Sequence, residues 1–205
     1  MSNKTYIDKI YQVESNDAMR EAYDQWADSY EAELAHHHYC TPERVAQALA
    51  RHLTDLQAPL LDFACGTGLS GQALKQQGFS CIDGIDLSKN MLAQARKKDI
   101  YRSLNVCDPA SPFAAATDHY GAIVASGAIG AGAAPAECLS AAIDHLSSNA
   151  LLCVSLNDHT LEDARYEDII QSAANAATIR ILEDQHGDHL PNIGLGAKVF
   201  VLQKL

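Results

Sequence analysis

The sequence lacks several features that mark membrane, secreted and zinc-binding proteins. No apolar run approaches the roughly 20 residues that a membrane-spanning helix requires, and the opening segment MSNKTYIDKI has no apolar stretch of the signal-peptide type. The six cysteines lie 15 to 31 positions apart, so no C-x-x-C pair indicates a zinc or redox site. These absences predict a cytoplasmic protein with reduced, buried cysteines.

Basic residues are scarce as well. Fifteen Lys and Arg stand against 26 Asp and Glu, a formal net charge of −11, and this sign repels the phosphate backbone of nucleic acids. The densest basic run, at residues 96–98, closes a predicted helix, where cations stabilise the C-terminal end of the helix dipole. We therefore expect neither a nucleic acid nor a membrane as partner, and no feature of the sequence marks an oligomer interface.

The chain also has no repeat, low-complexity tract or linker. Its 205 residues suffice to bury one sizeable core. We therefore expect a single domain over residues 1–205, with an N-terminal helical part over about residues 1–45 and a core over about residues 46–205.

Apolar periodicity predicts an α/β fold. Helical spacing covers AMREAYDQWADSYEAELA, which Asn16 and Asp17 can cap, and ERVAQALARHL, which Thr41 and Pro42 open. Further helices are predicted over GLSGQALKQQG, SKNMLAQARKK, PAECLSAAIDHL and LEDARYEDIIQSAANAA. Apolar runs that predict strands alternate with them, at residues 58–64, 79–86, 101–106, 120–126, 150–157, 178–184 and 197–204.

This alternation predicts a parallel sheet covered by helices on both faces. The last two strands are joined by the turn-rich segment QHGDHLPNIGLG, with no helix between them. Two neighbouring strands without a crossover helix pair antiparallel.

The segment GTGLSG, at residues 66–71, has two interpretations. It reads G-x-G-x-x-G, and Asp86 follows 20 positions after Gly66, as in NAD-binding folds. However, Asp62 stands four positions before Gly66, where a carboxylate would repel a pyrophosphate. A carboxylate at that place suits a cofactor with an amine and a positive sulfur, and S-adenosylmethionine has both. Asp86 can accept hydrogen bonds from ribose hydroxyls under either interpretation.

The stretches LLDFACGTGLSGQAL and GIDLSKNMLAQARKK resemble the first two motifs of class I S-adenosylmethionine-dependent methyltransferases. The longer text GFSCIDGIDLSKNMLAQARKKDIYRSLNVCD is similar to the methyltransferase-like family encoded in the Williams–Beuren syndrome region and its bacterial relatives. The motifs run from about residue 20 to residue 157. The resemblance implies a Rossmann-like, mostly parallel sheet of seven strands with an antiparallel last strand, S-adenosylmethionine as cofactor, and methyl transfer as activity.

The resemblance also implies a cofactor site. It places Asp86 on the ribose, Leu87 and Met91 against the adenine, and Asp108 at the adenine amino group. In YDQWADSYE the family pattern Y-D-x-x-A-x-x-Y is present, which offers Trp26 and Tyr30 as a lid over the cofactor. The other implied positions lie beside the methionine portion or face the reacting centre, and they are Asp62, Ala64, Cys65, Gly66, Thr67, Gly68 and Ser126.

Simpler interpretations remain open for some of these residues. Leu87 and Met91 also suit a hydrophobic core, Asp108 also suits a turn, and the spacing of Tyr23, Trp26 and Tyr30 also suits a packing stripe on a helix. Ala64 replaces the usual first glycine of the motif, a change that costs little if its φ is negative. We do not expect Cys65 to act as a nucleophile.

The catalytic residue stays unknown from the sequence. Methyl transfer is an in-line displacement in which orientation supplies much of the rate, although some acceptors need a general base. His159, just after the fifth predicted strand, is one candidate, and the run from His36 through His37 to His38 offers others. His186 and His189 form an H-x-x-H pair that is too sparse for a metal site.

The end of the fourth predicted strand bears on the acceptor. It reads SGAI, at residues 126–129, and lacks the Asn/Asp-Pro-Pro-aromatic motif of methyltransferases that act on adenine amines or glutamine amides. Together with the acidic charge, this favours a small-molecule acceptor. Two alternatives remain, an NAD-dependent oxidoreductase and a noncatalytic S-adenosylmethionine-binding protein.

Overall fold

A computed structural model of the protein describes Ile10, residues 15–114 and residues 120–205. The helices in these residues are α1 (Asn16–Trp26), α2 (Tyr30–His36), α3 (Thr41–His52), α4 (Leu69–Gln76), α5 (Lys89–Arg96), α6 (Ala136–His145), α7 (Asp158–Leu161) and α8 (Arg165–Asn175). The strands are β1 (Leu60–Phe63), β2 (Ile82–Asp86), β3 (Ser103–Val106), β4 (Ala122–Ala125), β5 (Leu151–Asn157), β6 (Ile179–Leu190) and β7 (Leu195–Lys204).

These strands form one sheet in the order β3-β2-β1-β4-β5-β7-β6. Pairing is parallel from β3 through β2, β1 and β4 to β5. The last strand, β7, lies between β5 and β6 and pairs antiparallel with both. The prediction of a seven-stranded, mostly parallel, Rossmann-like sheet with an antiparallel last strand is confirmed.

Successive residues of the central strands face two different apolar cores. Leu61 and Phe63 of β1 belong to the core that α6 and α8 cover, whereas Leu60 belongs to the core that α3 and α4 cover. Every residue of β1, β2 and β4 is buried. Because both faces of the sheet are covered, these strands appear in the sequence as continuous rather than alternating apolar runs.

The N-terminal helical stretch is broken, so the prediction of one helix over residues 18–35 is wrong. α1 ends at Trp26, and α2 begins at Tyr30 after a turn in which the Ser29 amide donates to the Trp26 carbonyl. The turn brings the two rings together edge-on, with centroids 4.7 Å apart. The Trp26 indole also donates to Glu33 at 3.0 Å, so contacts between α1 and α2 stabilise the break.

Two predicted helix caps are displaced by one position. Ser15, rather than Asn16 or Asp17, caps α1 by accepting a hydrogen bond from the Ala18 amide. Cys40 is the N-cap residue of α3, so Thr41 is already its first helical residue.

The connection between the last two strands is much shorter than predicted. The sequence predicts a turn-rich connection over QHGDHLPNIGLG, residues 185–196, but β6 continues to Leu190 and β7 begins at Leu195. A short 3-10 turn and Gly194, at φ 68°, close the hairpin. Arg44 holds this part of the hairpin by donating to the carbonyls of Gln185, Asp188 and Ala197. These tertiary contacts override the weak strand propensity of the segment.

The N-terminal part predicted over about residues 1–45 includes residues 1–9 and 11–14, which lie outside the described residues, and the single-domain assignment stays a prediction. No helix in the described part of the chain is both long enough and apolar enough to cross a membrane.

Candidate functional site

A cleft opens at the carboxyl ends of β1, β2 and β4, which is where open α/β sheets bind ligands. It encloses about 1000 Å³, including volume open to solvent. Predicted cofactor residues that line it are Tyr30, Ala64, Cys65, Gly66, Thr67, Asp86, Leu87, Met91 and Ser126. Four others do not line it, and they are Trp26, Asp62, Gly68 and Asp108.

The loop between β1 and α4 forms the floor of the cleft. Gly66 and Gly68 have φ values of 55° and 90°, in the left-handed region that favours glycine. Ala64 is also left-handed, at φ 51°. The expectation that alanine replaces the usual glycine at little cost required a negative φ, so it does not hold. We estimate a strain of about 1 kcal/mol at this residue.

Asp62 is fully buried beneath this loop. Its Oδ2 accepts hydrogen bonds from the hydroxyls of Ser70, at 2.6 Å, and Tyr101, at 2.7 Å, whereas Oδ1 has no partner in the described structure. Burial raises the pKa of Asp62 to about 6, against the opposite effect of the two hydroxyls. Neither of these partners is cationic, so no positive side chain is bonded to this buried carboxyl group in the described structure.

Tyr101 reaches Asp62 through a slot formed by glycines. A Cβ at Gly71 would overlap the Tyr101 hydroxyl, and Cβ atoms at Gly68 and Gly84 would lie 3.1 and 3.0 Å from the ring. The third glycine of GTGLSG therefore makes room for a tyrosine. In the NAD-binding pattern the third glycine allows close packing of helix on strand, whereas here it leaves space for the Tyr101 side chain.

Sequence reasoning missed both Tyr101 and Ser70. Tyr101 was included only in a predicted strand, and it lies 39 positions from the carboxyl group that it bonds. No local spacing signals a contact of that separation. The available clue was the third glycine itself, which leaves an empty volume that some side chain has to fill.

Asp86 lines the cleft from the end of β2 and is 8% exposed. Its Oδ2 accepts from the Gly66 amide and its Oδ1 from the Ser88 amide, both at 2.8 Å. Burial raises the pKa of Asp86 to about 6, although these amides favour the charged form. Each carboxylate oxygen keeps a further lone pair for a ligand.

Hydroxyl and apolar groups complete the cleft. Thr67 Oγ1 and Ser126 Oγ are buried without a hydrogen-bond partner in the described structure, as expected of atoms that bond a ligand. Leu87 is half-buried and Met91 is fully buried where they line the cleft. Burial raises the pKa of the Cys65 thiol well above its ordinary value, which makes it a poor nucleophile.

Asp108 lies apart from these residues. Its side chain is exposed, and Oδ1 accepts from the Ala110 amide at 2.9 Å in a local turn. This arrangement matches the turn interpretation, while contact with adenine stays a prediction.

Aromatic side chains of α1 and α2 cover the cleft. Tyr23 stacks on Trp26 with ring centroids 5.9 Å apart, and Tyr23 and Tyr30 both line the cleft. Trp26 is 3% exposed and packs behind them. Trp26 therefore has the packing role that its helical spacing also suited, whereas Tyr30 packs against Trp26 and also faces the cleft.

Asp24 fastens α1 to the loop that follows β2. Its carboxylate accepts hydrogen bonds from the Ser88 hydroxyl and the Asn90 amide, and the Asn90 side chain donates to the Asp24 carbonyl. Ser88 also caps α5 and donates its amide to Asp86. The aromatic cover and the cleft carboxylate thus share one hydrogen-bonded segment. Asp24 belongs to the Y-D-x-x-A-x-x-Y pattern, so the sequence contained a signal that was assigned only to Trp26 and Tyr30.

The histidines lie in different environments. The His159 side chain is 49% exposed, 3.7 Å from Glu162, and does not line the cleft. His36 and His38 are exposed, and His37 is half-buried. None of these four lines the cleft.

The H-x-x-H pair does not converge. His186 bonds Asp158 at 2.7 Å, whereas His189 is buried and bonds Thr41 at 2.7 Å. No group of three potential ligands for a metal ion occurs in the part of the chain that the structure describes.

Comparison with known proteins identifies the family. Residues 33–191, more than half of the chain, match the family described as "Methyltransferase domain". The chain belongs to this family. A human relative, Methyltransferase-like protein 27, is 32% identical over 120 residues, which cover 57% of this chain and 49% of the relative. The match thus spans about half the length of the relative. The finer resemblance to the Williams–Beuren family stays a prediction.

Solved structures share the fold at low identity. The plantazolicin methyltransferase BpumL, in complex with SAH, is 12% identical with a TM-score of 0.60 and covers 98% of this chain and 94% of its own. The [4+2]-cyclase SpnF is 14% identical with a TM-score of 0.58, covering 79% and 81%. A putative RNA methyltransferase from Pyrococcus horikoshii is 11% identical with a TM-score of 0.59, covering 80% and 84%. These descriptions differ, so the fold alone does not identify an acceptor.

Membership in the family supports S-adenosylmethionine rather than NAD as the cofactor, as the sequence predicted. The cleft fits this group. Asp86 lines it and Asp62 lies beneath its floor, neither bonded to a cationic side chain in the described structure. A left-handed glycine loop and the unpartnered hydroxyls of Thr67 and Ser126 complete it.

Proposed function

We propose that this methyltransferase transfers the methyl group of S-adenosylmethionine to a small-molecule acceptor. The observation that carries the proposal is a pair of buried carboxyl groups, Asp86 lining the cleft and Asp62 beneath its floor, with no cationic side chain bonded to either in the described structure. S-adenosylmethionine has an ammonium, a sulfonium and one carboxylate, a net charge of about +1. Its binding offsets the unfavourable burial of two negative groups.

Different cleft residues would bind different parts of the cofactor. Asp86 would accept hydrogen bonds from the ribose hydroxyls, Leu87 and Met91 would contact the adenine, and Thr67 and Ser126 would bond polar groups near the methionine portion. The cofactor supplies a methyl group activated by a positive sulfur. The protein supplies orientation, which contributes roughly 7–11 kcal/mol when donor and acceptor are held in line.

Charge and enclosure support a small acceptor. The net charge of −11 disfavours nucleic acid, and Tyr23, Tyr30 and Tyr39 narrow the cleft from above. We extend the proposal to one domain over residues 1–205 with a helical lid over about residues 1–45. A cytoplasmic location is also proposed, supported by six free cysteines.

The first test is calorimetric titration of the protein with S-adenosylmethionine, S-adenosylhomocysteine and NAD. We expect micromolar binding of both sulfur compounds and none of NAD. Asp86→Ala removes an acceptor of charged hydrogen bonds, so we expect affinity to fall roughly 100-fold. The control Asp144→Ala changes an exposed aspartate of α6 and is expected to bind as the wild type does. Unchanged affinity in Asp86→Ala would refute the site.

The second test follows a labelled methyl group into three acceptor pools: small metabolites, RNA and protein. We expect turnover in the small-metabolite pool. Label found only in RNA or protein would refute the proposed acceptor class. The absence of turnover in all three pools, with cofactor binding intact, would favour the noncatalytic alternative.

A further inference from the structure

A second, partly open chamber lies behind the cleft, between the N-terminal helices and the loop after β4. It encloses about 570 Å³, including volume open to solvent. Tyr23, Tyr30, Tyr39, Gly127 and Ala133 line both the chamber and the cleft, so the two spaces adjoin. An acceptor in the chamber would therefore lie next to the cofactor.

By residue type the chamber walls are mostly aromatic and aliphatic, although polar atoms form more of their accessible surface than apolar atoms do. Trp26 joins the three tyrosines, and Leu34, Ile129 and Leu190 add apolar surface. No Lys, Arg, Asp or Glu occurs among the lining residues in the described ranges. Because an unpaired charge is costly to bury in such surroundings, the group that enters is uncharged, and the aromatic walls favour a flat ring.

His189 brings one polar atom into the chamber, its ring nitrogen Nε2, in addition to the tyrosine hydroxyls and the side chains of Ser155 and Asn157. Nδ1 of its ring is 2.7 Å from Thr41 Oγ1, and no hydrogen bond of Nε2 occurs in the described structure. The ring meets Tyr39 edge-on, with centroids 5.1 Å apart. Burial and the nearby Arg44 lower the pKa of His189 to about 4, against the effect of Asp158. The imidazole is therefore neutral at physiological pH.

A neutral imidazole has one nitrogen that donates and one that accepts. Which role Nε2 takes depends on whether Nδ1 donates to Thr41 or accepts from it. A hydroxyl group can donate and accept, so it satisfies Nε2 in either tautomer. A ring that carries a hydroxyl group therefore matches both the walls and the polar group.

We propose that the chamber is the methyl-acceptor site and binds an uncharged aromatic ring whose hydroxyl group hydrogen-bonds to Nε2 of His189. The proposal rests on the proposed function and gives its acceptor a chemical class. In the transfer, a C–O bond forms at the hydroxyl oxygen as the C–S bond breaks with its electron pair left on sulfur. The hydroxyl proton is lost to water. His189 is thus a substrate-binding residue, and no proton transfer to it is required.

Trp26 gives a direct readout, because it is the one tryptophan of the chain and it lines the chamber. Fluorescence titrations would use 4-methylphenol as the probe, with toluene, benzoate and benzylammonium as matched rings without a hydroxyl or with a charge. We expect saturable quenching by 4-methylphenol at a Kd about 10-fold below those of the other three. Equal or tighter binding of either charged ring would overturn the proposal.

Variants separate hydrogen bonding from packing. His189→Asn places an amide near the position of Nδ1, so it keeps a bond to Thr41 but removes Nε2, whereas His189→Gln reaches the position of Nε2. We expect His189→Asn to weaken 4-methylphenol binding about 10-fold with toluene binding unchanged, and His189→Gln to restore part of the loss. His186→Ala, on the same strand but outside the chamber lining, serves as control and is expected to behave as the wild type does. Full affinity in His189→Asn would overturn the proposal.

A parallel titration with S-adenosylhomocysteine reports on the cleft alone. If this compound binds and 4-methylphenol does not saturate, the chamber assignment is wrong and the proposed function is untouched. If neither sulfur compound binds, the proposed function itself is wrong.

Discussion

The buried carboxyl group of Asp62 is expected to destabilise the protein when no ligand is bound. Its folded-state pKa is about 6, against an ordinary value of 3.8. A pKa difference of about 2 corresponds to about 3 kcal/mol. Because the folded-state pKa is the higher one, the contribution of Asp62 is most favourable below about pH 4. It declines as the pH rises to about 6 and is constant above that value.

Asp62→Asn removes the charge while its amide oxygen can still accept from Ser70 and Tyr101. We therefore expect the variant to have a free energy of unfolding up to about 3 kcal/mol higher than that of the wild type at pH 7.5. The advantage should shrink as the pH falls and vanish near pH 4, where Asp62 of the wild type is protonated. Affinity for S-adenosylmethionine should fall at the same time, because the negative charge beneath the loop is lost.

The assay is urea unfolding by circular dichroism at a series of pH values between 4 and 7.5, with the free energy obtained by linear extrapolation. We compare the free energy of unfolding of the variant with that of the wild type at each pH, because other carboxyl groups change stability with pH in the opposite direction. Arginine partners lower the pKa values of Asp83 and Glu183, and these two residues lose stabilising interactions in acid. Asp144→Asn, at an exposed position, is the matched control. The reasoning would be refuted if Asp62→Asn were less stable than the wild type at pH 7.5, or if the difference in free energy of unfolding did not change with pH.

Two further predictions concern residues that support the cleft. Gly71→Ala should displace Tyr101 and lower the free energy of unfolding in urea by about 1–3 kcal/mol. Gly66→Ala should lower it by only about 1 kcal/mol through backbone strain, because nothing lies within 4 Å of the added Cβ. Equal losses in the two variants would contradict the claim that Gly71 makes room for Tyr101. Asp24→Ala should release α1 from α5, speed limited proteolysis near residues 27–29 and weaken S-adenosylhomocysteine binding. Proteolysis at the wild-type rate would show that Asp24 does not fasten the cover.

Residues whose roles depend on local geometry were predictable. Ser88 caps α5 by accepting from the Met91 amide, and Gly78, at φ 97°, ends α4. Asp86 lines the cleft as the second motif implied. In each case a few neighbouring residues determine the backbone, so spacing along the chain contains the information.

Residues that act across long separations were not predictable. Tyr101 bonds Asp62 from 39 positions away, Asp24 bonds Ser88 from 64, and His189 bonds Thr41 from 148. The last two strands show the same limit, because pairing with β7 turns a segment rich in turn formers into strand. The Y-D-x-x-A-x-x-Y pattern marks Asp24 and the third glycine marks a space to be filled, but neither names the partner, which depends on the packed fold.

The position of β7 in the sheet means that the strands cannot pair in the order in which they are synthesised. β6 leaves the ribosome before β7, yet in the described sheet it is attached only through β7. His189 and Leu190, at the end of β6, therefore take their places only after residues 195–204 have been made. β1, β2 and β4, whose ends frame the cleft, precede them in the chain. A nascent chain would thus complete the strands that frame the cleft before the end of β6 can find its partner in the sheet.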